Sequence, residues 1–207
     1  EGRTVQGELE QVLMRLLQHP TRVVGAGAST IAARIAWDEL KPGTGPFDPE
    51  NILFVMVGPL SGTLASGGGR VVVAGIAPQQ RPAVFSRSGM GGHWGAELKY
   101  AGYDGLVVVG ASPEPVYLWV HDGKAEIREA DDLWGKDAVE TEVILTKRCR
   151  KKKIPRVACI GPAGENRSLI SGICTDKGRI AARSGLGAVM GAKKLKALVF
   201  TGTRKIM

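Results

Sequence analysis

Apolar residues along the chain recur at two spacings, and these divide it into helices and strands. In residues 7–18, Leu9, Val12, Leu13, Leu16 and Leu17 stand three and four apart, which makes one apolar helical face, ended by His19-Pro20. A short apolar pair, Val23-Val24, leads into GAGAST at 25–30 and a second helical pattern over 31–40, stopped by Pro42 and Gly43. The apolar run at 52–57 predicts a buried strand ending at Gly58-Pro59, and 71–73 predicts another after a glycine-dense loop. Further strands are expected at 106–109, 116–120 and 125–127. The last two are joined by Asp122-Gly123, a pair suited to the positive φ angles of a tight hairpin. A helix follows, with Asp137 as its cap and Val139, Val143, Ile144 and Leu145 as its apolar positions. Strands at 157–160, 169–174 and 198–200 complete the pattern.

These elements mix without regular strand-helix alternation, which predicts an α+β fold rather than a doubly wound sheet. The two halves also echo one another. In the first, a strand ends in Gly58-Pro59, Gly69-Arg70 precedes a strand, and GGHWGAELK leads to the strand at Leu106. In the second, a strand ends in Gly161-Pro162, Gly178-Arg179 follows, and GLGAVMGAKKLK leads to the strand at Leu198. The order of parts is the same while the spacings differ, which leaves internal duplication and coincidence in a glycine-rich chain both open.

Composition sharpens this picture. The 207 residues, 43% of them hydrophobic, suffice for one large core or two small ones. Twenty-nine glycines against four phenylalanines and three tyrosines suggest backbone brought close to something, because glycine adds unfolded-state entropy and no side chain to a core. No apolar run nears the roughly 20 residues that span a bilayer, and the polar start lacks a secretory stretch, so the chain reads as cytoplasmic. Cys149, Cys159 and Cys174, widely spaced, form neither a disulfide framework nor a CxxC motif and read as buried thiols. His19, His93 and His121 are scattered, and no metal site can be built from sequence-local ligands.

A net charge of +8 favours an anionic partner. The densest run, KRCRKKK at 147–153, sits where a helix is ending, and without interleaved aromatics it reads as a solvated helix end rather than a nucleic-acid site. The glycine stretches fit phosphate better: freed N-H groups converge on an anion, and an arginine fork adds two donors. GxxxxGK[ST] is absent, and Gly25-Ala26-Gly27 lacks the third glycine of a dinucleotide fingerprint. Catalytic signals are missing. Ser61, Ser66, Ser86 and Ser88 have no nucleophile elbow, His93 beside Trp94 reads as structural, and Asp131-Asp132 reads as a turn.

Six blocks carry a resemblance. VGPLSGT (57–63), GMGGHWGAELKYAGYDGLVVVG (89–110), PVYLWVHDG (115–123), LWGKDAVETE (133–142), IGPAGEN (160–166) and RSGLGAVMGAKKLKAL (183–198) resemble, in order, the N-terminal domain of the aldehyde ferredoxin oxidoreductase family. The likeness runs from about residue 25 to 202. It implies that residues 1–207 form one tungstopterin-binding domain with a divergent segment at 1–24. The implied fold is two mostly antiparallel sheets in a pseudo-twofold duplicated arrangement with a few helices.

The resemblance also implies a cofactor of two molybdopterins chelating one tungsten, with magnesium between their phosphates. That would explain the basic charge without nucleic acid. Carried over, the cofactor-binding positions are Arg70, Ser88, Gly89, Gly91 and Gly92 for one pterin loop, and Arg179, Ala181, Ala182, Arg183 and Gly185 for the other. Magnesium would take the backbone carbonyls of Gly89 and Ala182. The family's asparagine before the glycine pair is Gly89 here, its Ala-Gly-Arg is Ala181-Ala182-Arg183, and its GGRGLG is GAGAST. Iron-sulfur ligands and acid-base residues belong to later helical domains, so no catalytic residue is expected in this chain. Expected partners are those C-terminal domains or a partner subunit, ferredoxin for the assembled enzyme, and another copy through self-association, with no nucleic acid and no membrane. The implied activity of the assembly is aldehyde oxidation to a carboxylic acid, this chain being inactive alone. Two alternatives remain: a pterin- or phosphate-binding module without redox activity, and part of a tungsten-dependent aromatic thioester reductase.

Overall fold

The computed structural model describes residues 28–65, 68–204 and 206; the helix expected at 7–18, Val23-Val24 and Gly25-Ala26-Gly27 lie outside them. The described chain opens with helix α1 (Ala28–Glu39). Its inner face is Ala28, Ala32 and Ala36, spaced four apart and buried, so the helix approaches closely with small side chains while Trp37 points outward.

Four strands then form the first sheet: β1 (Leu53–Val57), β2 (Val71–Ala77), β3 (Val84–Met90) and β4 (Gly105–Val108). Helix α2 (Trp94–Tyr100) lies between β3 and β4 in sequence. The order is β3-β2-β1-β4, antiparallel throughout. Strand β3 was not expected, because VFSRSGM has no apolar run; β2 supplies its pairing along all seven residues, from Val71 opposite Met90 to Ala77 opposite Val84.

The second sheet begins with the hairpin β5 (Val116–His121) and β6 (Lys124–Glu129). Its turn is the expected Asp122-Gly123, with φ of 44° and 82°. Helix α3 (Ala138–Arg148) starts as expected at Asp137, whose carboxylate accepts from Glu140 N at 2.8 Å. Its buried face is Thr141, Leu145 and Cys149, whereas Val139 and Val143 are exposed, so the expected apolar face is rotated. There follow β7 (Arg156–Cys159), a four-residue helix α4 (Pro162–Glu165), β8 (Ile173–Thr175), β9 (Arg179–Ala181), α5 (Leu186–Ala192) and β10 (Leu195–Thr201). The strand expected over 169–174 is shorter. Leu169 and Ile170 are exposed on a turn, where Ser171 N donates to Ser168 O at 2.9 Å, and pairing starts only at Ile173.

Topology settles the echo in favour of duplication. The second sheet runs β6-β5-β10-β7-β8-β9, and its β9-β8-β7-β10 portion repeats β3-β2-β1-β4 strand for strand. In each half a helix, α2 or α5, precedes the strand that closes on the far side. Only β5 and β10 pair in parallel among the described ladders.

Strand alternation distributes the core on three levels. Leu53, Val55 and Val57 face a central cluster with Leu198 and Phe200 of β10, joined by Trp94 and Leu98 of α2 and Val189 and Met190 of α5. Phe54 and Met56 face α1, while Ala197 and Val199 face Leu145 and Cys149 at α3. Trp94 stacks on Phe200 with ring centroids 5.5 Å apart, so the first half's helix is pinned on the second half's strand.

Candidate functional site

The two halves meet where the β3 edge lies against β9, and the meeting is polar. Arg183 N donates to Ser88 Oγ at 3.2 Å, and Ser184 N donates to Gln79 Oε1 at 2.7 Å. Ser86 and Ser184 hydroxyls are 2.9 Å apart, and Ser184 Oγ also reaches Arg87 O. Serine serves here because a hydroxyl both donates and accepts, so a short side chain can bridge two backbones that form no ladder.

Most of the expected site residues collect at this seam. Arg70, at the entry to β2, and Arg179, at the start of β9, are exposed and flank the segment 89–92. A Cβ on Gly89 would stand 3.5 Å from Arg70 Nη1, and one on Gly91 would stand 3.3 Å from Arg179 Nη1. Gly92, at φ +115°, is tighter still: a Cβ would lie 2.4 Å from Asp176 Oδ2. Gly89, Ala182 and Arg183 are exposed beside them. Ser88 is buried and engaged with Arg183 N. Ala181 and Gly185 lie inside: Ala181 belongs to the central core, and a Cβ on Gly185 would fall 2.1 Å from Leu169 O, so that glycine serves packing.

One expectation is corrected. Arg70 and Arg179 were matched as symmetry mates because each follows glycine, but Arg70 enters β2 and Arg179 enters β9, and the counterpart of β9 is β3. They converge because β3 meets β9, not because the duplication relates them.

The seam carries arginines without carboxylate partners. Arg34, Arg128, Arg148 and Arg156 each pair with a carboxylate, whereas among the described residues Arg70, Arg179 and Arg183, like Arg81, Arg87, Arg150, Arg167 and Arg204, have none within 4.0 Å. Unpaired guanidinium groups around glycine backbone offer forked donors to an anion from outside. Sequence reasoning missed Gln79, Ser184 and Asp176. Only Asp176 left a local trace, in the turn-forming TDKG.

The remaining candidates resolve into structure. In the basic run, Arg148 pairs with Asp132, Lys151 lies 4.6 Å from the Trp119 ring centroid, and Lys153 Nζ donates to Gly202 O at 2.9 Å. Cys149 and Cys159 are buried free thiols and Cys174 is half-buried; burial raises the pKa of all three, which makes them poor nucleophiles. Ser61 Oγ donates to Gly68 O, and among the described residues no three His, Cys, Asp or Glu side chains form a metal-ligating group. A cavity of about 30 Å³ beside Val107, Leu118 and Lys193 touches none of the seam. No helix among the described residues is long and apolar enough to cross a membrane.

Fold and seam together define a duplicated α+β domain whose halves meet at a polar seam rimmed by arginines and glycines. A family model described as "Aldehyde ferredoxin oxidoreductase, N-terminal domain" matches residues 12–202, and the chain belongs to that family. It is 43% identical over 180 residues to the tungsten-containing aldehyde ferredoxin oxidoreductase of Thermococcus kodakarensis, covering 87% of this chain and 29% of that protein. The aliphatic sulfonate oxidoreductase, WOR-like subunit, of Pyrococcus furiosus is 35% identical over 191 residues, which is 86% of this chain and 30% of that protein. Among solved structures, the active site complex BamBC of benzoyl coenzyme A reductase, in complex with 1,5-dienoyl-CoA, is 39% identical with a TM-score of 0.82, covering 100% of this chain and 29% of that one. The chain thus spans less than a third of the length of these relatives.

Proposed function

We propose that this chain holds and orients a bis-molybdopterin tungsten cofactor, as the N-terminal part of an aldehyde:ferredoxin oxidoreductase-like enzyme. The observation that carries it is the trio of exposed, carboxylate-free arginines around a glycine segment exposed at Gly89 and half-buried at Gly91 and Gly92, in a chain similar to tungsten-containing aldehyde ferredoxin oxidoreductases. The donor set fits the group: pterin phosphates are anions suited to guanidinium forks, and at Gly89 and Gly91 no side chain comes between the backbone and the guanidinium ends of Arg70 and Arg179. Magnesium would take the Gly89 and Ala182 carbonyls. The hydrogen bond between their neighbours Ser88 and Arg183 favours that pairing, because it holds the two exposed segments together.

When bound, the cofactor supplies two-electron redox chemistry at its metal. The chain contributes position. Arg70 anchors one phosphate and Arg179 with Arg183 the other, and the duplicated sheets hold both arms rigidly relative to each other. The iron-sulfur cluster, the acid-base groups and ferredoxin docking belong to the rest of the assembly.

Replacing either anchor removes a charge-assisted contact worth about 1.5–3 kcal/mol, or about one to two decades in affinity. In the complete protein, Arg70→Ala and Arg179→Ala should therefore lose tungsten and pterin, measured per chain by elemental analysis and pterin fluorescence. Undiminished content in both sinks the assignment and favours a phosphate-binding module without redox activity. The likeness to benzoyl-CoA reductase favours a second substrate class, aromatic thioesters. Anaerobic assays of the assembled protein with an aldehyde and with an aryl-CoA separate the two.

A further inference from the structure

The turn between β8 and β9 holds one residue in a conformation it disfavours. Asp176 and Lys177 have φ of 46° and 56°, left-handed values that aspartate tolerates and lysine does not favour, and Gly178 N closes the turn on Thr175 O at 3.2 Å. Three contacts from other elements hold it there. Glu142 of α3 accepts from Lys177 N at 2.9 Å. Asp176 Oδ2 accepts from His93 N, in the first half, at 2.9 Å, while Oδ1 faces Arg156 Nη1 at 3.3 Å.

The Asp176 side chain is 11% exposed and stands between the two parts of the seam. On one side is the 91–93 backbone. On the other is Arg179, whose Cδ would lie 3.2 Å from a Cβ on Gly92. The absence of a side chain at Gly92 is what admits the carboxylate to the backbone of the opposite half. Arg156 offsets its charge beside a rim otherwise suited to anions.

Resting on the function proposed above, we propose that Asp176 is a positioning residue: by bonding His93 N it locks the β8–β9 turn, and Arg179 with it, against the 91–93 segment so that both halves meet one phosphorylated ligand in register. Asparagine keeps an acceptor oxygen and tolerates the left-handed conformation, whereas alanine does neither.

The test uses the complete protein carrying Asp176→Ala, Asp176→Asn or Arg179→Ala, with pterin and tungsten content, thermal midpoint and amide exchange of the 91–94 peptide as readouts. Asp176→Ala should lower pterin retention about 10- to 100-fold, as loss of a partner that orients binding groups does, and should speed exchange at residues 91–94. Asp176→Asn should restore retention to within about threefold of the parent. If Asp176→Ala does not fold, Gly92→Ala, which pushes the carboxylate away while leaving it in the chain, should lower retention in the same way. Parental retention in the folded Asp176→Ala or Gly92→Ala protein overturns the inference. So does a loss in Asp176→Asn equal to that in Asp176→Ala, since the charge rather than the bond would then matter. Undiminished retention in both Arg179→Ala and the Arg70→Ala protein described above instead overturns the functional reading beneath it.

Discussion

Lys193 and Lys196 stand three residues apart in KKLK, and both are buried, for different reasons. Lys196 pairs with the buried carboxylate of Glu165 and donates to Lys136 O at 2.7 Å. Lys193 has no carboxylate within 4.0 Å among the described residues; its Nζ donates to Pro49 O at 3.0 Å and Gly110 O at 2.8 Å. Burial lowers its pKa to about 8 from an ordinary 10.5. Between those values the unfolded chain binds the proton and the folded chain does not, so this group makes stability rise with pH, by up to ~1.4 kcal/mol per pH unit. Below pH 8 both states are protonated and the burial penalty is fully present. Lys193→Met should therefore flatten the pH dependence between 8 and 10.5, read from urea midpoints, and a slope equal to the parent's would refute the assignment. Nothing in the order of the letters distinguishes these lysines from solvated ones. Their burial is a tertiary property.

Glycine tells a similar story at the level of elements. Its abundance suggested backbone close to a partner, and at several positions the partner is the chain itself. Helices α4 and α5 touch where a Cβ on Gly191 would lie 1.9 Å from Gly164 O, and a Cβ on Gly202 would fall equally close to the Tyr100 carbonyl carbon. A Cβ on Gly178, by contrast, would meet nothing within 4 Å. Gly191→Ala should cost about 1–3 kcal/mol or more through overpacking, while Gly178→Ala should stay within about 0.5 kcal/mol; urea denaturation of both compares them directly. Elements with an apolar signature, such as β1, β10 and the β5–β6 hairpin, were legible in the sequence. Strands β3 and β9 were not, because VFSRSGM and RIA owe their extension to a neighbouring strand and to serines that bond across the seam. The same division holds for the site. Glycine and arginine spacing pointed to segments that the fold brings together at the seam, whereas Gln79, Ser184 and Asp176 bond across it to residues 83 or more positions away in sequence.

For the whole molecule, the duplication leaves a surface that is not uniformly polar. Leu64 is fully exposed and Leu60 more than half so, on the loop preceding the Arg70 entry, and Ile180 and Val84 are exposed near the seam. Apolar groups in such positions favour contact with further protein, as expected of a chain that covers 29% of its relatives. Expressed alone, it should self-associate at high concentration. A Leu60→Ser, Leu64→Ser variant should shift sedimentation toward monomer, and unchanged sedimentation would place the contact elsewhere. The sheet order carries a different consequence. Strand β10 lies between β5 and β7, so the β5–β6 hairpin and the β7-β8-β9 meander have no ladder joining them until residues 195–201 arrive. Chain growth at the ribosome would present these two pieces as separate, open-edged fragments, with the strand that seals both edges at once emerging after every other strand of the sheet. Because contacts between distant segments are slow to form, this half of the molecule should mature only after β10 has cleared the exit tunnel. Until then, the unpaired edges of β5 and β7 are where a nascent chain is most open to capture by a chaperone or by its neighbour on the same message.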